Sequence, residues 1–241
     1  MPYYYGYGFD WTYLVLVLPC ILLSLWASAN VNSTFKKYSK QYSQRRLTGA
    51  EAAQRVLRAN GVMGVRIERV SGNLTDHYDP RTNVIRLSDS VYDNTSTAAI
   101  GVACHEAGHA VQYAVDYAPI KLRSAIIPVT NFGSKIAMPL ILLGILFSAF
   151  GMMAETLVYL GIACFGLSLV FQIVTLPVEF NASRRALQAI EDGNLLTQEE
   201  QRGARKTLTA AALTYVAATA VALAQLLRLI AIFGGSRRRN D

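Results

Sequence analysis

Four long apolar stretches dominate the pattern of hydrophobic and polar positions along the chain. They cover residues 11–29, 136–154, 156–178 and 209–233, and polar side chains are rare within them. At about 1.5 Å rise per residue, a helix of this length crosses the roughly 30 Å hydrocarbon core of a bilayer. A buried core helix this long would normally keep a polar face. The pattern therefore predicts four transmembrane helices.

The first apolar stretch is predicted to stay in the membrane as an anchor rather than to be removed as a signal peptide. No basic residue precedes it, and no small-residue cleavage site follows it. Pro19 lies within this stretch, and a membrane helix tolerates such a proline.

The polar segment that follows predicts a small α+β region. Residues 48–61 carry an apolar stripe at helical spacing, and Thr48 and Glu51 have the spacing of a capping box at its start. Apolar and polar positions alternate in residues 65–70 and 83–88, which predicts two strands that form a β-hairpin or a small two-strand sheet.

Further helices are predicted on either side of the second and third apolar stretches. A Ser/Thr cluster precedes a helix over residues 97–117, and residues 118–135, which contain two prolines, are expected to form a linker. Pro177 is expected to mark the membrane boundary, with an amphipathic helix continuing beyond it. Thr197 and Glu200 form a second capping box before the last span.

Composition agrees with a membrane protein. Of the 241 residues, 52% are hydrophobic and only 16% are charged, and the mean hydropathy is +0.27. A soluble domain carries about 25% charged residues, so the apolar excess belongs to membrane spans. The three cysteines (Cys20, Cys104 and Cys164) are scattered, which indicates neither a disulfide framework nor a CxxC metal motif.

The distribution of the net charge of +7 predicts the orientation in the membrane. Fourteen Lys and Arg residues lie in residues 31–135 and five in residues 179–208, whereas the first ten residues contain none. The positive-inside rule places both polar regions in the cytoplasm and the N-terminus outside. Four spans then place the C-terminus outside as well, which the basic tail 236–241 opposes. Nucleic-acid binding is not expected, because the basic residues flank the spans rather than alternate with aromatic ones.

Metal chemistry is indicated by two of the three histidines of the chain. His105 and His109 stand four residues apart on the predicted helix, so both rings can bind one ion, and zinc suits such a pair. Glu106 projects beside the ion, where its carboxylate can take a proton from a water that zinc activates. This is the His-Glu-x-x-His arrangement of metalloproteases. Two ordinary core histidines are the alternative, but three buried polar groups without partners would be costly.

A catalytic zinc requires a third protein ligand, and the sequence favours a carboxylate. Val115 occupies the position at which a third histidine would follow in metzincins. The acidic candidates after the motif are Asp116, Glu155, Glu179, Glu191 and Asp192. Asp116 lies about 10 Å along the same helix, and Glu155 falls across the bilayer. Geometry favours Glu179, which follows the third span; a carboxylate stabilised by a helix dipole is the alternative explanation.

Three segments in this order resemble the bacterial YugP-like neutral zinc metallopeptidases of the membrane. They read LTDHYDPR, HEAGHAVQ and LPVEFNASRRAL, and the resemblance covers essentially the whole chain. It implies an integral-membrane zinc metallopeptidase, with His105, His109 and Glu179 as zinc ligands and Glu106 as the catalytic base.

The chain is more distantly similar to the HtpX and CAAX-prenyl protease group of gluzincins. Those proteins carry an aspartate four residues after the ligand glutamate, where it orients a ligand histidine. This chain has Ser183 at that position. Asn181 or Ser183 is expected to supply a weaker version of the same support.

Two further assignments stay open on the sequence alone. His77 could lie on an edge strand over the cleft, where a peptide pairs by β-augmentation, or it could be a turn residue beside Tyr78. We favour the turn and do not count His77 as a ligand. The group that stabilises the oxyanion is not assigned, and its candidates are Tyr113, Arg184 and Tyr215.

These features predict a mainly α, integral membrane fold with four transmembrane helices and a small cytoplasmic α+β, zincin-like catalytic segment. The expected parts are an N-terminal anchor (1–31), the catalytic segment (32–135), a transmembrane helical hairpin (136–178), a cytoplasmic helix with the third ligand (179–208), and a last span with a basic tail (209–241).

The expected function is a membrane-embedded zinc metalloendopeptidase of the cell membrane, with Zn²⁺ as cofactor. Its active site is expected to face the cytoplasm, and its substrates to be polypeptides, either unfolded or membrane-associated. One alternative is a membrane scaffold or adaptor with a structural zinc, which would not need Glu106. Another is a site-2-type intramembrane protease, which would need an aspartate from a later span as its third ligand.

Overall fold

The computed structural model describes residues 10–234, so the tail 236–241 lies outside the described residues. Six helices and three strands follow one another in that range, with a π-helical turn before the first helix and a 3₁₀ turn before the fifth. Their bounds are π Tyr13–Val17, α1 Leu18–Tyr38, α2 Gly49–Ala59, β1 Arg66–Val70, β2 His77–Asp79, β3 Val84–Ser88, α3 Thr97–Ala114, α4 Ala118–Leu146, 3₁₀ Ser148–Phe150, α5 Met152–Asp192 and α6 Gln198–Gly234.

Four of the helical segments are long and apolar enough to cross a membrane. They are Tyr13–Tyr38, Ala118–Leu146, Met152–Asp192 and Gln198–Gly234. In their most apolar windows only 11 to 28% of the residues are buried, so these helices are not the interior of a soluble core. Their exposed apolar surface is what a bilayer would cover. The chain is a multi-pass, mainly helical membrane protein, as the sequence predicts.

The expected linker at residues 118–135 is wrong, because α4 already begins at Ala118 and contains Pro128 and Pro139. Both prolines lie in an apolar helix, where such interruptions are tolerated. The same helix ends at Leu146, earlier than predicted. Gly151 reverses the chain with a φ of 58°, a conformation that favours glycine.

The helix starts carry the local signals that the sequence predicts. Thr48 and Glu51 form the reciprocal capping box of α2. Thr197 and Glu200 make the same pair of bonds before α6, and Glu200 also accepts a hydrogen bond from the backbone N–H of Gln44. The side chain of Ser96 caps α3 by accepting from the N–H of Ala99.

The three strands form one sheet in the order β1-β3-β2. The predicted hairpin is present, but it joins β2 to β3, and the two alternating runs, β1 and β3, pair in parallel with Ile67 beside Ile85. Asp79 fixes the turn of the hairpin by accepting hydrogen bonds from the N–H of Arg81 and the hydroxyl of Thr82. Because this turn pairs β2 with β3 antiparallel, β1 lies on the other side of β3 and runs parallel to it.

The described chain forms two compact units. One combines the chain up to Trp26 with Leu122–Thr175 and the chain from Tyr215 onward, and the other combines Ala27–Lys121 with Leu176–Thr214. In the second unit, α2, β3 and α3 pack with parts of α5 and α6. Its fully buried side chains include Leu57, Ile85, Leu87, Ile100 and Ile190. The first unit has a smaller cluster around Ile141, Val158 and Phe233.

Candidate metal centre

Helices α3 and α5 come close together beside the two histidines because Gly108 has no side chain. A Cβ at position 108 would lie 2.8 Å from the carbonyl oxygen of Ala182. Gly101 allows a similar approach of α3 to Ala204 on α6. Small residues of this kind let helix backbones approach each other closely in membrane proteins. The close approach at Gly108 brings the α5 segment around Glu179 onto the histidine face of α3.

The side chains of His105, His109 and Glu179 meet at this contact. Glu179 Oε2 lies 3.2 Å from His105 Nε2 and 3.6 Å from His109 Nε2. The two imidazole rings are 4.7 Å apart between centroids and almost perpendicular, and one ligand atom from each residue lies within 4.8 Å of the others. Glu179 and His109 are buried, whereas His105 is partly exposed.

This donor set fits zinc. Two imidazole nitrogens and a carboxylate oxygen are ligands that zinc accepts at about 2.0–2.2 Å, which in a tetrahedron places ligand atoms about 3.4 Å apart. The measured 3.2 and 3.6 Å bracket that value. Among the described residues, this is also the one group of at least three His, Cys, Asp or Glu ligand atoms close enough to hold an ion.

Gln112 contacts the ring of His109 on the side away from Glu179, and the sequence analysis does not single it out. Its side chain is fully buried, and its Oε1 lies 3.0 Å from His109 Nδ1. The amide nitrogen of Gln112 donates to the carbonyl of Val178 and to Asn181 Oδ1. Oε1 is therefore the acceptor and Nδ1 of His109 carries a proton, so in the neutral ring Nε2 keeps a lone pair toward Glu179. The only signal in the sequence is a polar residue three positions after His109.

The two expected supporting residues occupy different places. Ser183 Oγ lies 3.1 Å from His105 Nδ1, so it contacts a histidine directly. Asn181 is connected to His109 through Gln112, and its Oδ1 also accepts a hydrogen bond from Arg185 Nε. Each histidine thus has a polar partner on the ring nitrogen that points away from Glu179.

Glu106 follows His105 on α3 and is 8% exposed. Its negative charge acts on Asp76, which accepts hydrogen bonds from the N–H and the hydroxyl of Ser88. Burial raises the pKa of Asp76 above its usual value, and the charge of Glu106 adds to the rise in spite of these hydrogen bonds. Glu106 therefore stands in a poorly solvated place beside the histidine pair.

Electrostatics couple His109 to the acidic groups around it. Burial alone would lower the pKa of His109, because it disfavours the imidazolium form. The close approach and the negative charge of the Glu179 carboxylate, with a contribution from the charge of Glu106, outweigh that effect and raise the pKa of His109 above its usual value. The site therefore favours positive charge at the imidazole, which is the charge that a bound cation would bring.

The other expected candidates lie outside the three-residue cluster. Asp116 pairs with Lys121 at 2.6 Å, and Glu155 is in the first turn of α5. Glu191 and Asp192 are exposed at the end of the same helix. The favoured turn position of His77 is wrong, because His77 begins the edge strand β2. Its side chain is exposed, and its Nδ1 donates to the carbonyl of Thr75.

The three candidates for stabilising an oxyanion differ in their surroundings. Tyr113 packs edge to face against Tyr78, with ring centroids 5.6 Å apart. Arg184 is exposed on α5, and Tyr215 is half-buried on α6. None of these positions selects one candidate over the others.

Comparison with known proteins adds two matches. The model of a family described as "Putative neutral zinc metallopeptidase" matches residues 13–234. The protein named "Putative membrane protease YugP" of Bacillus subtilis (strain 168) is 46% identical over 230 residues, which cover 95% of this chain and 99% of that protein. The search of solved structures gave no significant match.

Proposed function

Because the chain belongs to the neutral zinc metallopeptidase family, we propose that it is a membrane-embedded zinc metalloendopeptidase of the gluzincin type. It would hydrolyse peptide bonds of unfolded or membrane-associated polypeptides. The observation that carries the proposal is the convergence of His105, His109 and Glu179 from two helices, with Glu106 one residue from the first histidine.

The roles of the four residues follow from their chemistry. His105, His109 and Glu179 would hold the zinc ion of this family, which when bound lowers the pKa of a water and polarises the scissile carbonyl. Glu106 is the general base, because its carboxylate neighbours the cluster without being part of it. It accepts a proton from the attacking water and returns it to the leaving amine. Gln112 and Ser183 hold the two imidazoles in the orientation that binding requires.

A non-catalytic scaffold with a structural zinc would use the same three ligands but would not need Glu106. A substitution of Glu106 therefore distinguishes the two functions. We expect Glu106→Gln to bind zinc as the wild type does and to lose hydrolysis of an unfolded polypeptide such as reduced casein. Glu191→Gln, an exposed change at the end of α5, is the matched control and should keep full activity. Unchanged turnover in Glu106→Gln would remove Glu106 as the base. Wild-type protein loaded with zinc that cleaves no polypeptide would favour the scaffold.

We also propose that the site faces the cytoplasm in the cell membrane, with the residues before α4 (39–117) and residues 179–208 as the cytoplasmic parts. The support is the concentration of Lys and Arg in these two regions. Met63 is 82% exposed before β1 and offers a labelling position, while the native cysteines are buried or half-buried. A Met63→Cys variant should react with a membrane-impermeant thiol reagent only after the cells are permeabilised. Labelling in intact cells would place the site outside.

A further inference from the structure

A cleft of about 300 Å³ opens within the second unit, between the C-terminal half of α1 and the N-terminal part of α6. Two lysines and three other polar side chains surround it, and its lining consists of Asn30, Thr34, Lys37, Tyr38, Lys206 and Ala210. The cleft has no residue in common with the candidate metal centre, so the proposed peptidase function does not account for it.

Helical spacing explains how these residues come to share one cleft. Asn30, Thr34 and Lys37 follow one another at intervals of four and three residues, which places them on one face of α1. Lys206 and Ala210 are spaced by four residues on α6, and the small side chain of Ala210 leaves room between the helices. About 300 Å³ is the space of roughly ten water molecules, which is more than a phosphate group needs.

The charge of the lining is purely positive. No carboxylate is among the residues that surround the cleft. Glu200, in the first turn of α6, is committed to the N–H groups of Gln44 and Thr197. The ammonium group of Lys37 lies 5.6 Å from the centre of the Tyr38 ring, a cation–π contact that restricts where the charge can go. Amide, hydroxyl and ammonium groups together offer several hydrogen-bond donors to an anion.

The cleft lies where the polar part of each of the two helices meets its apolar part. The first apolar stretch ends at position 29, directly before Asn30, and the last one begins at position 209, three residues after Lys206. The two helices that form the cleft are also among the four that can span a membrane. A residue at the end of an apolar span lies at the depth of the lipid headgroups.

We propose that this cleft binds the phosphate group of an anionic phospholipid. Lys37 and Lys206 neutralise the phosphate, and Asn30 and Thr34 donate hydrogen bonds to its oxygens. A free phosphate ion offers the same chemistry, but a lipid is the better occupant because its acyl chains hold the headgroup at the depth of the cleft. The proposal does not depend on the peptidase function.

The test compares lipid retention by the full chain and by two charge-matched variants. Native mass spectrometry of the detergent-solubilised protein measures how much dioleoyl phosphatidylglycerol is retained relative to dioleoyl phosphatidylcholine. Lys37→Gln with Lys206→Gln removes both charges of the cleft. Lys36→Gln with Arg202→Gln removes two exposed charges from the same helices outside the cleft. Thermal unfolding of each variant checks that the fold is kept.

We expect the wild type and Lys36→Gln with Arg202→Gln to prefer phosphatidylglycerol. Lys37→Gln with Lys206→Gln should lose that preference by on the order of tenfold. Equal losses in both variants would show a general effect of surface charge and overturn the proposal. So would a wild type that retains both lipids equally. Inorganic phosphate should give the solubilised wild type no thermal protection. Protection that Lys37→Gln with Lys206→Gln abolishes would identify a free-phosphate site instead of a lipid site.

Discussion

Replacing Gln112 with leucine should weaken zinc binding without touching a zinc ligand. Gln112 is fully buried and gives His109 Nδ1 its acceptor at 3.0 Å. Leucine has a similar size but no polar atoms, so the change removes this bond together with the donors to Val178 and Asn181. Asn181 keeps the hydrogen bond from Arg185, and Val178 keeps its place in α5. The N–H of the His109 ring is the group that loses its hydrogen-bond acceptor.

The expected loss of zinc affinity follows from the hydrogen bonds that Gln112→Leu removes. One buried polar group without a partner costs about 1–3 kcal/mol. Removing the outer partner of a metal-binding histidine lowers metal affinity by roughly 10–100-fold, which corresponds to about 1.4–2.8 kcal/mol. The two estimates agree, so we expect Gln112→Leu to raise the zinc dissociation constant by about 10–100-fold.

The assay is competition for zinc between the solubilised protein and a chromophoric chelator. Gln188→Leu makes the same substitution at an exposed position of α5 and should leave zinc affinity unchanged. Gln112→Glu keeps an oxygen acceptor for His109 Nδ1 and should retain more affinity than Gln112→Leu, although it loses the two amide donors. A purely structural role would lower the thermal stability of both Gln112 variants but would not rank their zinc affinities in this way. Zinc affinity of Gln112→Leu within about threefold of the wild type would refute the reasoning.

Two further substitutions test the contact of α3 with α5. Glu179→Ala removes the carboxylate that lies 3.2 Å from His105 Nε2, so zinc content measured by atomic emission should fall well below one ion per chain. The control Glu191→Ala should keep its zinc. Full retention of zinc in Glu179→Ala would exclude Glu179 as a ligand. Gly108→Ala places a methyl group 2.8 Å from the carbonyl of Ala182 and should destabilise the protein by about 1–3 kcal/mol in thermal unfolding. Gly166→Ala meets nothing within 4 Å on α5 and should be neutral or slightly stabilising, so equal effects of the two glycine changes would contradict the close approach.

Signals that act within a few residues predicted their parts of the structure well. The Thr48 and Glu51 capping box depends on a spacing of three residues, so all its hydrogen-bonding groups lie within one helical turn. His105 and His109 share a helix face for the same reason. The spans could be predicted because bilayer thickness sets their length.

Features that the spacing of apolar and polar residues does not encode were missed. The parallel pairing of β1 with β3 follows from a local turn at Asp79, which the alternation of the strands does not encode. The prolines at 119 and 128 suggested a linker, but an apolar helix accommodates them, and α4 begins at Ala118. The role of Gln112 depends on partners 66 and 69 positions away, so no spacing within α3 could have revealed it.

The sequence separation within the metal cluster has a consequence for biosynthesis. His105 and Glu179 are 74 positions apart, and the whole of α4 and more than half of α5 lie between them. A ribosome that adds about 5–20 residues per second makes the carboxylate roughly 4–15 seconds after the first histidine. During that interval the nascent chain has two of the three ligands. A chain that stalls before α5 is made therefore lacks the carboxylate of Glu179 and cannot complete the three-residue cluster.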